Sequence, residues 1–107
     1  MLLAAATGNA QTLRYFGVWS YTENSPADEI SPELLPERKL GYWSLELDEA
    51  LSVRRGTYHG SNGEVWLSLE YVTEGDRIYA DLYTANGRLV TRKSTQLQDL
   101  EPNWPEP

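Results

Sequence analysis

Residues 62–87, NGEVWLSLEYVTEGDRIYADLYTANG, decide how this chain folds. Three dipeptides punctuate them: Asn62-Gly63, Gly75-Asp76 and Asn86-Gly87. Each suits a two-residue hairpin turn, because each supplies the positive φ that such turns demand. The runs between them are rich in β-branched and aromatic residues, which favour a pleated, half-buried backbone. The spacing predicts a four-stranded antiparallel meander from about Leu51 to Leu97.

Two-residue turns also set register. They place Arg55 opposite Glu70, Glu70 opposite Asp81, and Asp81 opposite Arg92. One face of the meander then gathers Tyr58, Leu67, Leu69, Tyr71, Ile78, Ala80, Leu82 and Leu89, an apolar set that reads as the core. The other face carries the row Arg55–Glu70–Asp81–Arg92. It is flanked by Trp66, Tyr83 and Val90 on one side and by Val53, Val72 and Tyr79 on the other.

Just upstream, GTYHGSNGEVW (56–66) holds the only histidine. Read as strand and turn, it sets His59 opposite Trp66 as a packed aromatic pair. A catalytic reading lacks its partners: Ser61 lies in the turn, with no oxyanion signature and no carboxylate in a triad role. Nor is the stretch a phosphate loop, since it lacks the Lys-Ser/Thr ending and leads into a strand. No catalytic residue, metal ligand or cofactor is expected.

The first half is less regular. TLRYFGVWSYT (12–22) and KLGYWSLELDE (39–49) are each plausible strands, which brings the expected count to six. Residues 23–38 form an acidic, proline-rich loop. Ser25-Pro26 and Ser31-Pro32 each offer a helix cap followed by proline at the first helical position, and Pro36 prevents a long helix. Prolines also stand where a calcium loop would need alternating ligands and a glycine. Residues 98–107 read as an extended tail, with Trp104 either docked on the body or presented to a partner. Residues 1–11 read as a lead segment with a short helix. The apolar run Leu2–Ala6 has no positive residues before it and is shorter than the roughly 7–15 residues of a signal peptide's apolar stretch.

The chain has length for one small domain, 1–107, and no cysteine, so disulfides and thiolate chemistry are excluded. The lack of cysteine fits a reducing compartment, and a cytoplasmic location is expected. Sixteen acidic against nine basic residues give a formal charge of −7, the wrong sign for nucleic acid or an anionic lipid surface. No run is long enough to span a membrane.

The charged row admits two readings. It is either a surface ladder in which each arginine holds one acid, or the polar centre of an aromatic-walled ligand site. In the second, Arg55 or Arg92 would orient a ligand carboxylate, Glu70 or Asp81 would hold a nitrogen, and Trp66, Tyr79 and Tyr83 would be the walls.

FGVWS (16–20) resembles the Gly-x-Trp opening of the calycins, the lipocalin-like β-barrels. GTYHGSNGEVWLSLEY (56–71) and DRIYADLYTANGRLVTRKST (76–95) are similar to the closing strands of the S-type phycobiliprotein chromophore lyases, which are calycins themselves. The resemblance implies that Trp19 closes a barrel floor and that Arg55, Glu70, Asp81 and Arg92 lie towards the lumen. Six strands are fewer than that family's closed barrel uses. The expected fold is therefore all-β: a mostly antiparallel meander forming a small open barrel or sandwich, with a short helical turn in the 23–38 loop.

Three functional classes follow. The first is a non-enzymatic accessory domain that docks on a larger protein assembly, and it demands least of the sequence. The second is a carrier of a small hydrophobic or chromophore ligand, with lyase-like handling as the one enzymatic option. The third is a carbohydrate-binding module.

Overall fold

Each turn dipeptide makes a hairpin, but only the middle one has a two-residue loop. The structure is a computed structural model that describes residues 12–20 and 23–104; the expectations for the lead segment 1–11 and for residues 105–107 lie outside them. Glu74 pairs with Arg77 across Gly75-Asp76. In the other two hairpins the loop holds three residues. The Gly60 N–H donates to the Glu64 carbonyl at 2.8 Å, and the Thr84 N–H to the Arg88 carbonyl at 2.9 Å. Gly63 and Gly87 end these loops at φ of 84° and 86°, a left-handed conformation that glycine adopts without strain.

An extra loop residue would slip the register by one and turn every following side chain to the opposite face. Both hairpins cancel the slip with a bulge. His59 pairs with Val65 but Tyr58 with Leu67, so Trp66 is unpaired. Tyr83 pairs with Leu89 but Leu82 with Thr91, so Val90 is unpaired. Beyond the bulges the expected register returns, and Arg55↔Glu70, Glu70↔Asp81 and Asp81↔Arg92 all form.

Seven strands make one antiparallel sheet: β1 (Thr12–Ser20), β2 (Ser25–Ile30), β3 (Tyr42–Leu47), β4 (Val53–His59), β5 (Val65–Glu74), β6 (Arg77–Thr84) and β7 (Leu89–Thr95). Their order is β2-β1-β3-β4-β5-β6-β7, so β2 and β7 are the edges and the sheet is not closed. The expected fold class holds, with one strand more. That strand, β2, lies inside the proline-rich loop, where Ser25-Pro26 opens a strand and not a helix. An edge strand bonds on one side only, which is why it tolerates Pro26, with no N–H to give, and Asp28 at φ 61°. Ser31-Pro32 does open a helical turn, a 3₁₀ segment over Pro32–Glu37. A second 3₁₀ turn, Leu97–Leu100, begins the tail.

The sheet curls about Phe16, Trp19, Leu45, Leu47, Val53, Leu69, Ala80 and Leu82, with Trp43, Leu67, Tyr71 and Trp104 packed against them. Gly56 sits beneath Trp19, and a Cβ there would stand 2.5 Å from the indole. Besides the bulged Trp66 and Val90, two residues leave their expected faces. A third bulge, between Glu46↔Arg55 and Leu47↔Val53, turns Val53 into the core. Leu89, expected in the core, follows Tyr83 across the Val90 bulge and is half exposed.

The tail spans the open side of the sheet. The Asn103 N–H donates to the Asn24 carbonyl at 2.8 Å, and Asn24 Nδ2 donates to the Asp99 carbonyl at 2.9 Å. Asn24 Oδ1 in turn accepts from Trp19 Nε1 at 2.8 Å. Leu100 is fully buried, and Trp104 docks beside Phe16 with the Arg14 guanidinium 4.3 Å from its ring centre. Of the two expectations for Trp104, the docked one is observed.

Asn24 is buried at φ 50°, a left-handed conformation that asparagine tolerates better than most residues. Replacing Asn24 with Ala strands a buried indole N–H and a carbonyl together. It is expected to cost about 2–4 kcal/mol in urea unfolding followed by tryptophan fluorescence. Asn24→Asp keeps the acceptor for Trp19 but sets a buried carboxylate against the Asp99 carbonyl, so its midpoint should fall as well.

Candidate functional site

Strand alternation decides what each face of the meander can do. Gly56, Leu69 and Leu82 lie across one another on the core side. The neighbouring residues Arg55, Glu70, Asp81 and Arg92 therefore line up on the face away from the core. This reverses the lumenal placement that the calycin resemblance implies. Two more acids extend the row, and each arginine meets two carboxylates. Arg92 grips Asp81 with Nε and Nη2, both at 2.8 Å, and reaches Glu74 at 3.1 Å. Arg55 bonds Glu70, with Glu46 3.8 Å away.

Asp81 is the buried member of the row, 1% exposed beneath the guanidinium of Arg92. The Arg92 hydrogen bond holds its carboxyl below the ordinary aspartate value against the opposing effect of burial, and Tyr83 adds a further bond. Arg92 is itself sandwiched, with its guanidinium 4.6 Å from the Tyr79 ring centre. Both arginines are thus committed to the protein's own acids, and a ligand carboxylate would have to compete with them.

Of the seven residues expected to bind a ligand, six share this face: Arg55, Glu70, Tyr79, Asp81, Tyr83 and Arg92. Trp66 does not join them. Its bulge turns it edge-on to Tyr58 at 5.8 Å, with Nε1 donating to Glu64 at 3.0 Å. It ends a file of rings, Trp19–Trp43–Tyr58–Trp66, that runs from the core to a half-exposed indole. Turn length was the information that the dipeptides could not convey.

His59 accordingly has other partners than Trp66. It stacks on Tyr42 at 4.7 Å, with Nε2 3.0 Å from Ser44 Oγ and Nδ1 3.3 Å from the Gly63 carbonyl. A serine beside a histidine is the start of a nucleophilic pair. Ser44, however, lies mid-strand, where the sheet bonds to β1 and β4 occupy the backbone N–H groups that an oxyanion would need. Sequence reasoning passed over Ser44 because only the β3–β4 pairing brings it to His59.

On the core side, where the tail crosses the open sheet, lies a polar hollow of about 210 Å³ bordered by Glu23, Asn24, Tyr71, Lys93, Asp99 and Asn103. Burial, and then the nearby Asp99 charge, push the Tyr71 hydroxyl up to about 12. No group of three or more His, Cys, Asp or Glu among the described residues is placed to hold a metal ion. No helix among them is long and apolar enough to cross a membrane.

The far edge of β7 is the remaining feature. Leu89 to Ser94 are all exposed, and among the described residues no strand pairs with β7 on the side away from β6. The stretch 82–98 contains Arg88, Arg92 and Lys93 and no acid at all. Among the described residues Arg88 and Lys93 form no ion pair, while Arg92 is taken by Asp81 and Glu74.

Comparison with known proteins adds nothing to this geometry: no family model, curated protein or solved structure matches the chain.

Two pH dependences follow. Asp81 has a lowered folded value, so its stabilisation is present above the ordinary aspartate range and is lost as pH falls below it. Arg92→Ala should therefore lower the urea midpoint more than Arg55→Ala at neutral pH, and the gap should close in acid. Tyr71 has a raised folded value, so its stabilisation is complete below its ordinary value of 10.0 and is lost as pH climbs towards 12. Tyr71→Phe should match the parent near pH 7 and outlast it under alkali, as read by urea midpoints alongside the ultraviolet titration of tyrosinate.

Proposed function

We propose that this chain is a non-enzymatic interaction domain that docks on a larger protein assembly through its free β7 edge. The observation that carries the reading is the edge itself, seven residues long, with Leu89 and Val90 exposed and no strand of the described residues on its outer side. An unpaired strand presents backbone donors and acceptors that a second chain can complete, and native proteins normally shield such edges. The opposite edge is shielded: β2 carries Pro26 and a left-handed Asp28, and the tail bonds the carbonyl of Asn24 just before it. β7 has no such cover.

In this reading the row from Glu46 to Arg92 is scaffold. It clamps β6 to β7 through Asp81–Arg92. Nothing in the domain calls for disulfide chemistry, and we place it in the cytoplasm.

The test is amide hydrogen exchange on the full chain, in lysate fractions and alone, with a photo-crosslinker at Thr91. Docking predicts slowed exchange over residues 89–94 in the bound state and a cross-link to one recurring protein. Unchanged exchange at β7, with protection elsewhere, would remove the proposal.

A further inference from the structure

We infer that the partner of β7 is an extended acidic segment, added to the sheet as an eighth strand. The inference rests on the docking reading above and names the chemistry of the occupant. The domain carries −7 overall, yet its one uncovered edge lies in a stretch whose charges are all positive. Lys93 lies opposite Ala80 and so faces the core side of the sheet; Arg88 stands at the entry to the strand. Neither is neutralised within the described residues. An incoming strand thus meets Arg88 just before β7 and Lys93 within it, neither in a direct ion pair among the described residues, with the exposed pair Leu89–Val90 between them.

The same charges argue against a second copy of this chain. Two β7 strands paired antiparallel over their full length would set Arg92 of one opposite Arg92 of the other, and neither strand carries an acid to offset the Lys93 charges; like charges across a ladder destabilise it. Lysine on an edge is a known guard against self-pairing. Here it also selects, because the charge that repels another β7 attracts a carboxylate. The preferred segment carries glutamate or aspartate opposite Lys93 and Arg88, an apolar residue opposite Leu89–Val90, and no proline along its bonding edge.

The experiment uses the full chain and three fluorescent octapeptides, read by anisotropy with hydrogen exchange on β7. One alternates Glu and Val, one alternates Lys and Val, and one is the Glu–Val peptide N-methylated at alternate residues, which removes its strand-pairing donors. The expected result is binding of the Glu–Val peptide with protection of residues 89–94. Binding should be weaker by about tenfold or more for each of the other two. The exposed double variant Arg88→Glu/Lys93→Glu should reverse the preference between the Glu and Lys peptides, which also shows that it is folded. Equal binding of the methylated peptide means charge adsorption and overturns the inference. Protection of β7 by the Lys–Val peptide as strongly as by Glu–Val overturns the acidic class but leaves β7 docking standing. Protection of β7 by none of the three overturns both.

Discussion

The side chain of Asn24 holds the open sheet shut. An unclosed seven-stranded sheet exposes the mouth of its core between β2 and β7 unless something spans the gap, and here the tail does so. Asn24 accepts from the Trp19 indole, donates to the Asp99 carbonyl, and lends its own carbonyl to Asn103. The Trp19 indole N–H and the Asn24 side chain are buried, so their bond matters more than one hydrogen bond suggests. Trp19 lies over Gly56, Trp104 packs against Phe16, and Leu100 is fully buried. The tail is anchored beside β1 a second time, by Trp104 against Phe16 and under the Arg14 guanidinium.

Closure by a tail, where a barrel would use a strand, has a consequence for function. Strand-to-strand closure would remove both edges. A tail that bonds only near Asn24 and packs Leu100 and Trp104 inward leaves the far side of β7 bare. The surface that supports the docking proposal thus arises from the same device that stabilises the fold. The ion pairs contribute by fixing β7 in place. Asp81 is buried under Arg92 in the strand next to the edge, so β7 is tied to the sheet through side chains as well as through its ladder.

Much of the architecture was legible in the residues. Asn62-Gly63, Gly75-Asp76 and Asn86-Gly87 marked the three hairpins, and the alternation of Leu67, Leu69, Ala80 and Leu82 with Ser68, Glu70, Asp81 and Tyr83 separated the two faces. The charged row was read correctly even though two of the three loops were assumed to be one residue too short. It survived because each long loop is compensated by one bulged residue, and the burial of Leu69 and Leu82 penalises any other register. At and beside the bulged positions the reading failed: Trp66 turns to Tyr58, and Leu89, next to the bulged Val90, is exposed. β2 was missed because Pro26, Asp28 and Glu29 carry loop signals, and only a neighbour such as β1 can make a strand of them.

What the sequence determined by itself is local and periodic. Hairpin sites, the apolar face and the order of charges along the meander follow from turn chemistry and period-two alternation, which act over a few residues. Tertiary structure alone decided that Asn24 would meet Asp99 and Asn103, and that Ser44 would meet His59. Those contacts join segments far apart in the chain, and no local propensity encodes them. They exist because a curled sheet with a dry interior must bury its apolar face, satisfy every polar group it encloses, and leave whatever edge its tail does not reach.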